Sequence, residues 1–599
     1  MRPGYFGFLP KYQDYLVDAR LNIRTTGNTP DNMDGSIMLD GFSFAAEGKP
    51  SLRLQRLSIQ SENVEEGRKM ALTSDWADME LTGQYRLKDI PEEIKCILSG
   101  VFPSLLECGK RNQEFTTAAD FSLLIHPDNT LPEFLGLPVR LLVPVVASGM
   151  IDGASSTLKF GIDLPYLQQG KNKLLRDNRL VADFEGGTGN FNLDFSSTMP
   201  AKKGEMVIDV RLWGGKDNIL ADIGWNTPEN TDFKGEVSLD ATLSRNTFSH
   251  TPEVDVEIKP SIFDAGSARW NIGKGMLGYH DGTLNVEGLK VWHNNQFVEI
   301  DGTASKSALD SVEIRLADID LDYIFDTLNI NYVTFGGTAT GTIRGNGVLG
   351  KEPLLSTDNL FVKNLSYNGA VLGDGGIRSR WINESKKVEI LADVKKGGMR
   401  KAYIDGGIWI TRDSLAFAID ADRIPVDFLA PFMSAFSSEV KGYASGKASL
   451  FGTFSDIDLT GRIYADSLSM KLDYTNTVYH GSDSVYLSPG KIEIPSFRLY
   501  DRDGHSAILS GELTHRYFHD PKFTFRLSDA RHLLCYDTNS SLNPDWYGVV
   551  YGNGGAVVRG WPGLVSVSVD MAVTGASAFC QIHIYEPTPP TRRSGGGGW

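Results

Sequence analysis

Few residues of this 599-residue chain stand at spacings that do chemistry. Gly273-x-Gly275-x-x-Gly278 has the glycine spacing of a phosphate cradle. Such a cradle needs a helix opening directly after it, so that unpaired N–H groups meet the anion. Here Tyr279-His280-Asp281-Gly282 and a strand-like Thr283–Val286 follow, so strand and turn are expected instead. His515 and His519 lie four apart, as two zinc ligands would, but Phe518 and Pro521 make the segment read as a turn. Asp501-Arg502-Asp503 concentrates acid, and Gly504 marks it as an exposed hairpin tip. The sequence contains no Walker A, HExxH or GxSxG pattern, and no two carboxylates fall in a context that reads as a cleft. Cys96, Cys108, Cys535 and Cys580 form no CxxC. Four partly buried thiols are the simplest expectation, although the first two could pair across a helical turn. The chain is therefore expected not to be an enzyme and to hold no metal or other cofactor.

Bulk properties narrow the class further. The net charge of -16 and the lack of a Lys/Arg stripe argue against nucleic acid as a partner. Hydrophobic residues at 41% and charged residues at 22% describe a folding chain and not a disordered one. The 63 glycines are scattered through strands and turns with no collagen period, as many hairpin turns and bulges require. Met1–Pro10 has no continuous apolar core of signal length. Leu135–Ile151 is interrupted by Pro138, Arg140 and Pro144, which spoils a membrane span of ~20 residues. A soluble chain is expected, read as a piece of a longer protein.

What would position any site is β-structure. Ser36–Phe44, Ser51–Gln60, Glu205–Trp213, Glu236–Leu243 and Lys522–Leu527 alternate apolar and polar residues, the period of strands with one buried face. Helical patterning is confined to Ile90–Leu106, Leu131–Leu142, Leu321–Leu328 and Val426–Phe436. The second half repeats itself. Ile300-Asp301-Gly302, Ile404-Asp405-Gly406 and Leu509-Ser510-Gly511 are spaced by 104 and 105 residues. Gly341 falls 105 before Gly446, and Asp322-Tyr323-Ile324 falls 105 before Asp427-Phe428-Leu429. A unit of this length, built of hairpins, speaks against the short parallel coils of a β-helix polysaccharide enzyme.

One hairpin per repeat can be threaded. A two-residue turn at Asn294-Asn295 pairs Val291 with Val298 and Leu289 with Ile300. A three-residue loop at Lys396-Gly397-Gly398 pairs Ala392 with Ala402 and Ile390 with Ile404. Arg502-Asp503-Gly504 pairs Leu499 with Ala507 and Phe497 with Leu509. Each hairpin gathers apolar residues on one face, and Lys290, Glu299, Asp405 and Arg498 on the other; Leu391 and Ile508 break the pattern. Such a face must be covered. Either a second sheet does so, as in a string of sandwiches, or the sheet curls into a gutter filled by acyl chains.

Gly446–Gly452, Asp456–Leu468, Tyr486–Tyr500 and Leu509-Ser510-Gly511 resemble the TamB family of translocation and assembly module proteins, in its Bacteroidetes-like form. Trp546–Gly560, Val565–Thr574 and Thr73–Leu106 extend the resemblance over most of residues 35 to 585. It implies an AsmA-like, all-β, elongated repeating β-groove with a few short helices. The implied segments are 1–112 with a short helix, 113–234, about three repeats over 235–585, and a disordered tail at 586–599. It implies a periplasmic bridge carrying phospholipid between inner and outer membranes, partnered by an outer-membrane β-barrel protein and linked to outer-membrane protein assembly. The family's N-terminal membrane helix and C-terminal docking domain have no counterpart here. Leu289, Val291, Val298, Ile300, Ile390, Ile404, Phe497, Leu499 and Leu509 would line the groove. A scaffold for barrel-protein biogenesis without lipid, and a surface adhesin presenting Trp292 and Tyr500 to glycans, are the alternatives. On the order of 40 strands at ~4.8 Å would reach roughly 190 Å, the scale of a bridge.

Overall fold

The computed structural model describes residues 15–581, apart from 110–115, 170–172, 202–203, 229–232, 322–334, 410–411 and the single positions 28, 30, 50, 66, 138, 352, 435, 545, 562 and 576. Met1–Pro10, the helix expected at Leu321–Leu328 and the tail at 586–599 lie wholly or almost wholly outside the described residues. Among the described residues, 36 strands belong to one antiparallel sheet. Helices are short: Ile90–Val101, Thr130–Leu135, and a 3-10 turn Asp427–Leu429 running into Ala430–Met433. The chain divides into two compact units, Met1–Ile314 with Asn346–Lys351, and Arg315–Gly345 with Glu352–Trp599.

In the first unit, each strand from Leu16–Thr26 to Ala77–Gln84 pairs with the next in sequence. The chain then forms the helix Ile90–Val101, opened by Pro91 with Glu92 and Glu93 in its first turn. Ile90, Ile94, Ile97, Leu98 and Val101 fall at helical spacing, and this stripe enters the apolar face of the sheet. Ile97 and Val101 are almost completely buried among Met70, Leu81, Ala119, Ile151, Leu158, Ala182, Phe184 and Phe191. The helix therefore fills this part of the sheet's apolar face.

The helix end is lashed to the sheet's turns. The Asp217 N–H donates to the Val101 carbonyl at 3.0 Å, and the Asp217 carboxylate accepts from the Ser104 N–H and hydroxyl. Arg245 donates to the carbonyls of Ser104 and Leu105 at 2.8 and 3.0 Å. Cys96 and Cys108 are joined in a disulfide. That corrects the expectation of four free thiols: helix and return segment bring the two cysteines to a Cα separation of 4.4 Å.

The segment 252–280 departs from a simple meander. Pro252–Ile258 and Ser261–Ala265 both pair with Phe233–Arg245, and Ala268–Ile272 and Gly275–His280 both pair with Thr283–His293. Pro260, which has no N–H to donate, stands at the break. Gly275 and Gly278 of the GxGxxG segment thus lie in a strand, and Gly273 just before it, not at the mouth of a helix.

In the second unit, strands from Leu354–Tyr367 to Leu564–Val573 pair with their sequence neighbours. The first and third threaded hairpins have the expected pairs, Leu289 with Ile300 and Val291 with Val298, then Phe497 with Leu509 and Leu499 with Ala507. The second is corrected by two residues: Ala392 faces Ile404, and Ile390 faces Gly406. Gly397 and Gly398, at φ 59° and 79°, make a two-residue turn, and a bulge then leaves Lys401 unpaired. A shift of two residues keeps each side chain on its own face.

The repeated glycine has a structural reason. A Cβ on Gly302, Gly406 or Gly511 would collide with a backbone carbonyl of the next strand, that of Ser311, Ala416 or Thr524 respectively. Each marks a close backbone approach where a side chain has no room. Gly406→Ala is expected to cost about 1–3 kcal/mol by overpacking. Gly224→Ala is the control, because its Cβ would meet nothing closer than 3.9 Å. Urea midpoints should separate the two, with Gly224→Ala at or above wild type.

Candidate functional site

The apolar face is built from strand parity. On Pro252–Ile258, Val254, Val256 and Ile258 share a face; through the pairings, Leu277 and Tyr279, then Leu284 and Val286, continue it. A bulge between Val286 and Leu289 resets the parity, so Leu289 and Val291 join the same face opposite Ile300 and Val298. Leu289, Val291, Val298 and Ile300 are all half-buried. In the second unit Ile390 and Ile404 are half-buried as well, flanked by the buried Val388, Val394 and Ala402.

The third hairpin differs. Phe497 and Leu499 are 5% and 7% exposed, and with Leu509 they pack into a cluster of Ala465, Ala507, Ala530 and Leu533. Tyr479, Leu527 and Met571 close around it. The sheet folds over on itself here: the Tyr479 hydroxyl donates to the Leu534 carbonyl at 2.7 Å across two intervening strands, and the Asp537 N–H donates to Thr475 at 2.9 Å. Burial holds the Tyr479 phenol well above its ordinary value. The nine residues singled out from sequence thus occupy two settings, a half-open apolar face for six of them and a packed core for Phe497, Leu499 and Leu509.

The opposite face is polar. Lys290 faces Glu299, Arg380 meets Glu389 at 2.6 Å, and Lys491 meets Glu512 at 2.7 Å. These pairs are partly exposed and contribute about 0–1 kcal/mol each. Leu391 stands opposite Asp405, and Ile508 opposite Arg498, so both exceptions to alternation do sit on the polar face. Trp292 pairs with Phe297, and Tyr500 stacks on His480 at 5.9 Å; both are half-buried.

Asp501 was expected to be exposed and is completely buried. The loop is a hairpin tip, as Gly504 signalled, but the carboxylate points inward. Its Oδ1 accepts the N–H groups of Asp503 and His505, both at 2.9 Å. Its Oδ2 accepts the N–H of Leu534 at 2.8 Å and Nδ1 of His505 at 3.1 Å. Beside it His505 meets the His532 ring edge-on at 4.6 Å, and His532 stacks on Tyr551, whose hydroxyl donates to Asp503 at 2.7 Å. Asp501, Asp503 and His505 lie close enough to hold an ion, yet four donors already saturate Asp501, so the group reads as a structural staple. No sequence pattern pointed to His532 or Tyr551. His515 and His519 flank a tight turn at Tyr517-Phe518, as their neighbours suggested.

Fold and face together define an all-β protein whose antiparallel sheet has one apolar and one charged face. No family model matches the chain, and it matches no curated protein and no solved structure. Among the described residues, no helix is long and apolar enough to cross a membrane.

Proposed function

We propose that the half-open apolar face carries phospholipid acyl chains, and that the protein serves as a periplasmic bridge along which lipid passes between inner and outer membranes. The observation that supports this most is the continuity of the face from Val254 through Leu289 and Val291 to Val298 and Ile300, without a buried polar group directly opposite them. Such a lining shelters acyl chains at about 0.8 kcal/mol per buried CH₂ and gives no directional contact to stop them sliding. The resemblance to the translocation and assembly module family favours the same reading, with an outer-membrane β-barrel protein as docking partner and a link to barrel-protein assembly. The Phe497 cluster is filled by the chain's own side chains, so carriage is assigned to the half-open part of the face.

Lipid extraction and mass spectrometry of the protein purified from its own cells test the reading. Phospholipid is expected in stoichiometric amount, and Ile300→Asp should at least halve it while the circular dichroism stays unchanged. A lipid-free preparation, or an Ile300→Asp variant with the full complement, would sink the proposal. Leu499→Asp is the wrong probe, because it places a charge in a closed core.

A further inference from the structure

The Cys96–Cys108 pair has a third metal-type donor beside it. Glu92 stands one helical turn before Cys96, at the i, i+4 spacing that puts both on one face of Ile90–Val101. A carboxylate oxygen of Glu92 and the two sulfurs all lie within 4.8 Å of one another. Glu92 is held in place: its Oε1 accepts the Gly109 N–H and stands 3.9 Å from the Lys95 ammonium, which leaves Oε2 for another partner. A side chain at position 109 would run into this carboxylate, and glycine lets the return segment come so close. The one other such group among the described residues, Asp501 with Asp503 and His505, has its central carboxylate saturated by four donors.

The disulfide is not what keeps Cys108 there. Before it in sequence, Ser104 donates to Asp217 through its N–H and hydroxyl, and Arg245 donates to the carbonyls of Ser104 and Leu105 and to the Glu107 carboxylate. After it, Gly109 is tied to Glu92. Opening the S–S bond therefore leaves the two thiols and the carboxylate together. We propose that in the reduced protein Glu92, Cys96 and Cys108 bind a zinc ion, so that the helix is tied to its return segment by a disulfide when oxidised and by metal when reduced. A dithiol reductant transfers two electrons and two protons to the cystine by thiol–disulfide exchange and leaves as its own disulfide. Zinc then displaces both thiol protons, and two thiolates with one carboxylate more than balance its charge. Two thiolates select a soft or borderline metal over magnesium or calcium, which take oxygen ligands. Zinc accepts three protein ligands with water as the fourth, and having no redox chemistry it does not reoxidise the thiols.

The test uses the full chain with Cys535→Ser/Cys580→Ser, stripped of metal, both oxidised and after reduction and removal of the reductant without air. Titrated against a chromophoric zinc chelator, the reduced protein should take up one equivalent of zinc and the oxidised protein none. Cobalt(II) in place of zinc should give thiolate-to-metal charge-transfer absorption, and bound zinc should shield both thiols from alkylation. Glu92→Gln should weaken zinc binding by roughly tenfold or more, the loss caused by removing even a residue that only supports a ligand. Cys96→Ser/Cys108→Ser should bind no zinc and keep the parent circular dichroism, because the anchors at Asp217 and Arg245 remain. No uptake by the reduced protein, equal uptake in both forms, a Glu92→Gln variant that binds like the parent, or unfolding of the serine pair would each overturn the proposal. None of these outcomes depends on lipid.

Discussion

Ile97→Ala is expected to destabilise the Met1–Ile314 unit by about 2–5 kcal/mol, the cost of a cavity where surrounding atoms cannot follow. Ile97 is 1% exposed, and its helix is tied at its C-terminal end by Asp217. On the far side, Gly186 lies against the backbone of Ile97, and Gly100 against the backbone of Gly186. Collapse into the void is therefore blocked by main chain. The helix stripe shares a core cluster with inward strand residues, among them Phe184 and Phe191. Guanidinium unfolding followed by circular dichroism should show a lowered midpoint with little change in slope. A loss below about 0.5 kcal/mol would mean that the helix rests on the sheet without filling it.

Asp501→Asn should give the other large effect. The carboxylate accepts four hydrogen bonds, two on each oxygen. An amide oxygen can keep the pair from Asp503 and His505, but the NH₂ group then confronts the Leu534 N–H and His505 Nδ1. Leu534 is 1% exposed, so water cannot replace the lost acceptor. A stranded buried donor costs about 1–3 kcal/mol, and the charge-assisted bond to the neighbouring N–H groups adds to it. The urea midpoint should fall, and hydrogen exchange at the Leu534 amide should accelerate. Unchanged exchange at Leu534 would refute the staple.

Strand content and faces were legible because a period of two survives in any local window. The hairpins at Asn294-Asn295 and Arg502-Asp503-Gly504 followed from turn chemistry alone. The hairpin at Gly397-Gly398 did not, since two glycines allow either a two- or a three-residue loop and the bulge at Lys401 leaves no compositional mark. The helix at Ile90 was visible as a stripe, but what it packs against was not, because Phe184 and Phe191 are about ninety residues away in sequence. The same holds for the second unit's core. Phe497 and Leu509 read like Leu289 and Ile300, and only the contact of Thr477–Ser488 with His519–Thr538 separates a closed core from an open face. Asp501 is the sharpest case. A turn with two acids and a glycine reads as exposed, and its burial is decided by Leu534, thirty-three residues on.

The central claim is that lipid covers the face bearing Leu289, Val291, Val298 and Ile300. A photo-reactive amino acid placed at Ile300, and separately at Glu299 on the opposite face, tests it in living cells. Phospholipid cross-linked at position 300 and absent at position 299 is the predicted result. No lipid at position 300, or equal labelling at both, would contradict it.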